Sequence, residues 1–477
     1  MTNRQNWLPR AKSILIRSSV LAGLVLTPAT ALASQQDPAG TSQESDVLFE
    51  RIEQMEAELA QLRERLEQAE AQAAQAQATA EARPPVVTVP PMSEPSRGLW
   101  RPSVSDVAVQ FGGYADVSAA ISDSASNGDV SFSAGSFNPL LLVQYRDLLL
   151  FEGEAELEIG SNGETELALE YTQLDIFLHD NATLVVGKFL SPVGQFQERL
   201  HPSWINRLAD APAGFGHDGV QPASEVGVQL RGGVPLGSSR LTYAAAIGNG
   251  PRLNGAGAVM AEGFGGDDNG NKAISGRIGF LPTPYMEVGA SALFSRVNGP
   301  SGEEPVDDHA STNARTIQSV TGDAELGDLS AYAVDYNLWG VDAAYTRGPW
   351  DVRFEYLRGV RDAISVPGHD GDDPEEALER LRMTAWYGQV AYRLTGLTDD
   401  PVLGNFEPVI RYGEFNVSGL EELAEEAAEQ RWDVGLNYWF APSVVLHTAL
   451  QYREFTDRHS DEVTDDLRLL FKVSYGF

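Results

Sequence analysis

The chain has 477 residues, with 34 Lys and Arg against 68 Asp and Glu, a net charge of −34. That surplus of acid excludes a nucleic-acid binder and a protein that adheres to anionic surfaces, both of which need a positive face. There is no Cys, which excludes disulfides and thiolate chemistry, and 21% charged residues with a mean hydropathy of −0.22 fit strands with one lipid-facing side.

Residues 1–33 read as a secretory signal peptide. Arg4, Arg10, Lys12 and Arg17 flank or precede an apolar run from Val20 to Leu26, and Ala31-Leu32-Ala33 is a small-residue cleavage site. The mature chain is expected to begin near Ser34. The apolar run is too short to span a bilayer, and no second long apolar stretch follows it. Export without a spanning helix leaves a periplasmic protein, a secreted one or a barrel.

Residues 34–82 form a coiled-coil segment in this reading. Ile52, Leu59, Leu66 and Ala73 fall at heptad position a, and Leu48, Met55, Leu62, Ala69 and Ala76 at d. Arg51-Ile52-Glu53-Gln54-Met55-Glu56 and Arg65-Leu66-Glu67-Gln68-Ala69-Glu70 repeat a pattern like that of parallel trimeric coils, so a homotrimer is expected. The competing reading is one amphipathic helix lying on another surface. Residues 83–105 are a linker, because Pro84, Pro85, Pro90, Pro91, Pro95 and Pro102 favour extended polyproline conformation. A helix of the preceding length spans ~50 Å at about 1.5 Å per residue. The coil is therefore expected in the periplasm, within reach of peptidoglycan.

Residues 106–477 carry about sixteen strand-like segments, starting near 107, 133, 148, 164, 182, 223, 239, 271, 285, 329, 350, 382, 405, 430, 443 and 464. Tight turns such as Tyr145-Arg146-Asp147, His179-Asp180-Asn181, Pro235-Leu236-Gly237 and Arg347-Gly348-Pro349 alternate with longer polar loops. The connection 396–404, on the short side, is longer than its neighbours. Short turns at one rim and long loops at the other predict an all-β fold: a 16-stranded antiparallel transmembrane β-barrel preceded by a periplasmic α-helical coiled coil. No repeat of propeller length runs through the chain. Segments 374–382 and 420–429 are expected as short loop helices.

The last segment shows the pattern best. Leu467, Leu469, Phe471, Val473, Tyr475 and Phe477 alternate with Arg468, Lys472, Ser474 and Gly476. Phe477 is expected to act as the signal read by the barrel-assembly machinery. Tyr336, Trp339, Trp350, Tyr356, Trp386, Trp432, Tyr438, Phe440, Tyr452 and Tyr475 gather at strand ends and are expected as interfacial girdles. The alternative is the core of a soluble sandwich.

If apolar residues mark the lipid face, their neighbours line the lumen. Glu152, Glu154, Glu156 and Glu158 then point inward from one strand, and Glu166 and Glu170 from the next, with Leu167, Leu169 and Tyr171 outward. Arg231, Arg277, Arg353, Arg393, Arg411, Arg431, Arg453, Arg468 and Lys472 line other parts of the wall. An acidic wall opposite a basic one sets a transverse field that favours small polar or zwitterionic solutes. The competing reading pairs these charges with one another as structural supports. The loop after the fifth segment, running from Gly187-Lys188-Phe189 through Trp204 to Arg207, is rich in Phe, Trp and Leu and nearly neutral. Such a loop is expected to fold into the lumen as a constriction, with Lys188, Glu198, Arg199, His201 and Arg207 at the narrow point.

Val186-Gly187-Lys188-Phe189, Pro192-Val193-Gly194, Glu198-Arg199 and Glu225-Val226-Gly227-Val228-Gln229-Leu230 together resemble the phosphate-selective porin family. The resemblance implies a trimeric sixteen-stranded barrel with an inward loop after the Gly-Lys-Phe strand. Some members carry an N-terminal coiled coil. Phosphate-selective members line their entry with basic residues, whereas this chain has Glu ladders and acidic loops, so phosphate preference is not carried across. The expected function is that of an outer-membrane porin of a Gram-negative cell, passing small hydrophilic solutes or ions by passive diffusion among lipid and lipopolysaccharide. The rival is a structural protein tethering the membrane to the cell wall through its coil. No G-x-S-x-G, H-E-x-x-H or P-loop is present and the seven His are scattered, so neither an enzyme, a cofactor nor a metal site is expected. Acidic stretches at 303–308, 370–379, 421–429 and 461–466, and the 267–271 and 370–373 stretches without EF-hand spacing, read as solvated loops.

Overall fold

The computed structural model describes residues 106–477 except 123–129, 134, 160–162, 217–218, 254–256, 261–269, 300–328, 367–374, 420–427 and 457–462. The expected signal peptide, coiled coil and linker lie outside the described residues, as do most of the acidic loops.

Sixteen strands close into a single antiparallel barrel. The first is β1 (Val107–Ser122). β2 comes in two pieces, Val130–Ser133 and Ser136–Tyr145. Then follow β3 (Leu149–Ile159), β4 (Thr165–His179), β5 (Ala182–Leu190), β6 (Ser224–Leu236) and β7 (Ser239–Gly248). After them come β8 (Ala273–Thr283), β9 (Met286–Asn298), β10 (Ala333–Arg347), β11 (Trp350–Arg361) and β12 (Leu381–Tyr392). β13 (Phe406–Ser418), β14 (Ala428–Ala441), β15 (Val444–Thr456) and β16 (Val463–Gly476) complete the ring. Every strand begins within four residues of its expected start.

Both pieces of β2 pair with β1, with Ser118 opposite Ser133 and Val107 opposite Tyr145. The break between them needs Gly135. Its φ is 67°, and a Cβ there would lie 2.0 Å from the Asp116 carbonyl oxygen. The ring closes where β16 pairs with β1, Tyr114 opposite Gly476 and Ser122 opposite Arg468. Phe477 extends the seam by donating its amide to Gly113 O (2.9 Å) and accepting from Gly113 N (3.1 Å).

The short rim is built from turns of two or three residues. In one of them Arg146 bonds the Asp106 carboxylate at 2.7 Å, which raises the guanidinium above its ordinary value. The longer connection at 393–405 holds two 3-10 turns, Leu394–Gly396 and Leu403–Asn405. Asp400 caps the second: its Oδ1 accepts from Val402 N (2.8 Å) and Leu403 N (2.9 Å), and these backbone bonds hold its carboxyl below the ordinary range. On the long-loop side the expected helix at 374–382 is not formed. Glu375–Leu378 is a strand paired with Ile364–Val366, and Leu381 continues into β12. Two β-branched residues on the partner and a buried Leu378 favour that pairing over an isolated helical turn.

The outer surface carries Val109, Phe111, Ile278, Phe294, Ile410, Val434 and Phe440, an apolar band of the kind a bilayer covers. Aromatics meet across strands on it. Trp339 packs on Tyr356, Trp386 on Tyr412, Tyr412 on Trp432, Trp350 on Tyr392, and Tyr438 on Phe406 and Phe440. Tyr336 does not join them: it is fully buried on the inner face, because β10 turns Tyr336, Leu338 and Asp342 inward together. The inside of the barrel is itself partly apolar. Leu293, Leu338, Leu357, Leu381, Met383, Ala385, Tyr387 and Phe415 point inward from β9–β13 and pack against residues of the loop that follows β5.

Candidate functional site

The loop from Ser191 to Ala223 enters the barrel and meets most of its wall. Ser191 Oγ donates to the buried Glu225 on β6 (2.6 Å), and Ser191 N donates to Ala223 O, so the loop is tied at its base. Gly194 (φ 75°) then passes so close to β11 that a Cβ would lie 2.0 Å from Glu355 Oε1. This lets the fully buried Glu355 carboxylate accept from Gln195 N (2.9 Å) and Phe196 N (3.1 Å), opening the one-turn helix α1 (Phe196–Leu200). Gln195 extends the anchor, donating to Asp342 on β10 and accepting from Arg353 on β11. Val193, Phe196, Leu200, Ala213, Phe215 and Val220 supply the loop's share of the apolar cluster, with Phe196, Phe215 and Tyr387 edge-to-face.

Beyond α1 the loop runs across to the far wall. Arg207 lies 3.5 Å from Asp351 and 3.3 Å from Glu407, over the ring of Trp439. Asn437 on β14 donates to Arg207 O, Arg411 and Arg431 donate to Ala211 O, and Gln451 on β15 reaches Asp210. Trp204 lies against Gly476 of β16. The loop is thus fastened to β9–β16 by apolar packing and by buried polar groups.

Towards β3–β6 the packing opens. A cavity of about 290 Å³ lies there, lined by Glu152, Tyr171, Gln173, Leu190, Glu198, Arg199 and Arg231. Of the five residues expected at the narrow point, Glu198 and Arg199 line this cavity. His201 sits beside it, with Nδ1 at 2.6 Å from Gln197 O and Nε2 at 3.6 Å from Glu154 Oε1. Arg207 is on the opposite side, among the loop's wall contacts. Lys188 is on the outer face. β5 turns Val185 and Phe189 inward, so Val186 and Lys188 must point out, and the Lys188 ammonium donates to Leu169 O.

That carbonyl is available because β4 has a bulge. Glu154 pairs with Tyr171 and Ala155 with Leu169, which leaves Glu170 as the extra residue. The bulge moves Tyr171 from the outward place expected for it to the inner face, and after it Gln173 and Asp175 also point inward. Glu152, Glu154, Glu156 and Glu158 share one face of β3, and Glu152 lines the cavity. Tyr114 donates to Glu154 (3.0 Å), with Glu156 and Glu170 nearby.

The basic residues do not form a wall opposed to this ladder. Arg393 lies over the ring of Trp439 and donates to Asn405, and each of the others has a carboxylate on its own part of the wall. Arg277 bonds Asp342 (2.6 Å) and Glu287 (2.9 Å), Arg353 bonds Asp351 (2.9 Å), and Arg411 bonds Asp433 (2.9 Å). Glu429 takes both Arg431 (2.6 Å) and Arg453 (3.0 Å), Asp466 takes Arg468 (3.0 Å), and Arg231 bonds Asp175 (2.5 Å). Lys472 lies 3.8 Å from Asp116. The reason is geometric. Residues two apart on a strand share a face, and partners directly across a ladder are nearest neighbours, as Arg411 and Asp433 are. Asp175, Glu287, Asp342, Asp351, Glu355, Glu429 and Asp433 were missed from sequence, although most alternate with apolar residues as their basic partners do.

A family model described as phosphate-selective porin O and P matches residues 237–475, from the end of β6 to β16. The motif residues at 186–230 that suggested this family lie upstream of the match. Among curated proteins nothing matches the chain. Among solved structures it is similar to OmpT, an outer membrane protein of Vibrio cholerae in a trimer form (14% identity, TM-score 0.46, 78% of this chain and 99% of that one). It is also similar to the outer membrane channel DcaP of Acinetobacter baumannii (12%, 0.47, 79% and 99%) and an anion-selective porin from Comamonas acidovorans (12%, 0.47, 78% and 100%). With half of its 477 residues covered by the family model, the chain belongs to the phosphate-selective porin O and P family, the outer-membrane channels.

Proposed function

We propose that the protein is a porin through which small hydrophilic solutes and ions diffuse passively, and that the 191–223 loop constricts its lumen to a path along β3–β6. The observation that carries this reading is the asymmetry of the loop. Beyond its basal tie to Glu225 on β6, its apolar residues and buried bonds go mainly to β9–β16, while a charged cavity lies between α1 and the β3–β6 wall. In this reading Glu198 and Arg199 face the solute from the loop, and Glu152, Tyr171, Gln173 and Arg231 face it from the wall. Arg207 and Glu355 hold the loop. The surroundings are outer-membrane lipid and lipopolysaccharide, and the assembly unit is a homotrimer on the strength of the doubled heptad pattern at 51–56 and 65–70.

The natural absence of Cys makes a direct test available. Gln173→Cys and Val445→Cys each place one thiol in the chain, the first in the cavity and the second in the buried wall of β15. In planar bilayers a thiol-reactive trimethylammonium reagent is expected to cut the KCl current of Gln173→Cys and to leave that of Val445→Cys unchanged. Unaltered current through a modified Gln173→Cys channel would remove the path from this side of the barrel.

A further inference from the structure

The next step rests on the channel reading above and concerns which solutes the cavity recognises. Its lining carries two carboxylates, Glu152 and Glu198, and two guanidinium groups, Arg199 and Arg231. The two signs are not equally available. Arg199 bonds both oxygens of Glu287, and Arg231 bonds Asp175. Neither Glu287 nor Asp175 lines the cavity. A solute therefore meets guanidinium groups already matched by carboxylates behind them. Glu152 and Glu198 differ. Among the described residues no hydrogen bond is directed at either carboxylate; Arg231 acts on Glu152 only through its charge, and the cation nearest Glu198 is Arg199 Nε at 3.8 Å.

The other polar groups of the lining point the same way. Gln173 donates its amide nitrogen to Asp175 (2.9 Å), which leaves the amide oxygen for the cavity. Tyr171, brought inward by the bulge at Glu170, adds an aromatic ring. Two carboxylates, an amide oxygen and a ring face are acceptors for a cation with several N–H donors, and a primary ammonium has three. For a phosphate the cavity would need an uncommitted Arg or Lys, and the nearby Lys188 faces outward to Leu169 O. We propose that this cavity is a subsite for solutes bearing a protonated primary amine, held between Glu152 and Glu198 against Tyr171 and the Gln173 oxygen.

The test uses the full chain in planar bilayers under bi-ionic conditions. KCl on one side is opposed first by 2-hydroxyethylammonium chloride, which has three N–H donors, and then by tetramethylammonium chloride, which has none. In the wild type the permeability ratio of the first cation to the second is expected to exceed their ratio of aqueous mobilities by about threefold, the worth of a partly exposed ion pair. In Glu152→Gln/Glu198→Gln the ratio is expected to fall to that of the mobilities. Heat-modifiable electrophoretic mobility establishes that the variant barrel is folded, and the single variants stand in if the double one does not fold. A conducting wild type whose ratio equals that of the mobilities overturns the amine subsite and leaves the porin reading standing. So does a ratio that folded variants do not change, or a preference for phosphate over chloride with no cation preference. A folded wild type that conducts no KCl overturns the porin reading itself.

Discussion

Two side chains show how a single residue's place decides its part. Glu355 is fully buried, yet both its oxygens are used: they accept from the Gln195 and Phe196 amides, with the Tyr387 hydroxyl 3.5 Å away. Replacing it with Ala strands two buried N–H donors, each costing about 1–3 kcal/mol. Glu355→Ala is therefore expected to unfold at a clearly lower temperature in detergent than wild type. Glu355→Gln, which keeps one acceptor oxygen, should fall between. A melting curve of Glu355→Ala that overlays the wild type would mean that the loop does not depend on this anchor. Lys188 is the opposite case. It is adjacent in sequence to the residues that enter the lumen, but strand parity puts it outside, bonded to a carbonyl freed by the neighbouring bulge. Lys188→Met should leave the zero-current potential in asymmetric KCl where it was. A shift towards cations would return Lys188 to the current path.

At the scale of the element, period-two alternation located all sixteen strands, because each has to present one face to lipid and one to the interior. It failed where an element departs from that rule. The bulge at Glu170 adds one residue to β4 and inverts the faces after it, so Tyr171 could not be placed from spacing alone. In β9–β13 both faces are apolar because the loop supplies an inner core, so Tyr336 and Leu338 look like lipid-facing residues in sequence. The loop itself was legible from its composition, but the wall to which it fastens was not, since Glu355, Asp351 and Asn437 are far from it in sequence. The closing element supports a prediction of its own. Phe477 makes two backbone bonds to Gly113 and stacks on Phe137 and Tyr475 at the seam between β16 and β1. Phe477→Asp puts a charge among those rings, and a lower fraction of protein recovered in the outer membrane is expected. Wild-type recovery would show that the seam does not need this side chain. On the short rim, the turn capped by Asp400 should respond to pH. Its carboxyl is held below the ordinary value, so its stabilising bonds are fully present above the ordinary Asp range of about pH 4 and are lost as pH falls through the lower, folded value. Amide exchange at Val402 and Leu403, corrected for its intrinsic pH dependence, should therefore gain protection as pH rises through that folded value. Asp400→Ala should show no such step.

For the molecule as a whole, the formal charge of −34 tells less about permeation than the way lumen charges are matched. From β8 round to β16, Arg277, Arg353, Arg411, Arg431 and Arg468 are each bonded to a carboxylate on their own part of the wall, so these charges largely cancel. The β3–β4 arc is different: it carries a ladder of carboxylates, with Arg199, Arg231 and His201 as nearby basic groups. At 0.1 M salt the Debye length is about 10 Å, so charges at the cavity act on a passing ion more strongly than those on distant loops. The balance is open to manipulation from behind. Asp175 does not line the cavity but matches Arg231, which does. Asp175→Asn removes the bonded negative partner while preserving the shape and the possibility of a hydrogen bond, leaving Arg231 less compensated in the lining. The zero-current potential in a KCl gradient should move towards chloride relative to wild type. Glu287→Gln, which weakens the partner of Arg199, should move it the same way, though less because Arg277 shares that carboxylate. If both variants fold and neither shifts the potential, the arginines of the cavity do not meet the permeating ions, and a path elsewhere in the barrel has to be sought.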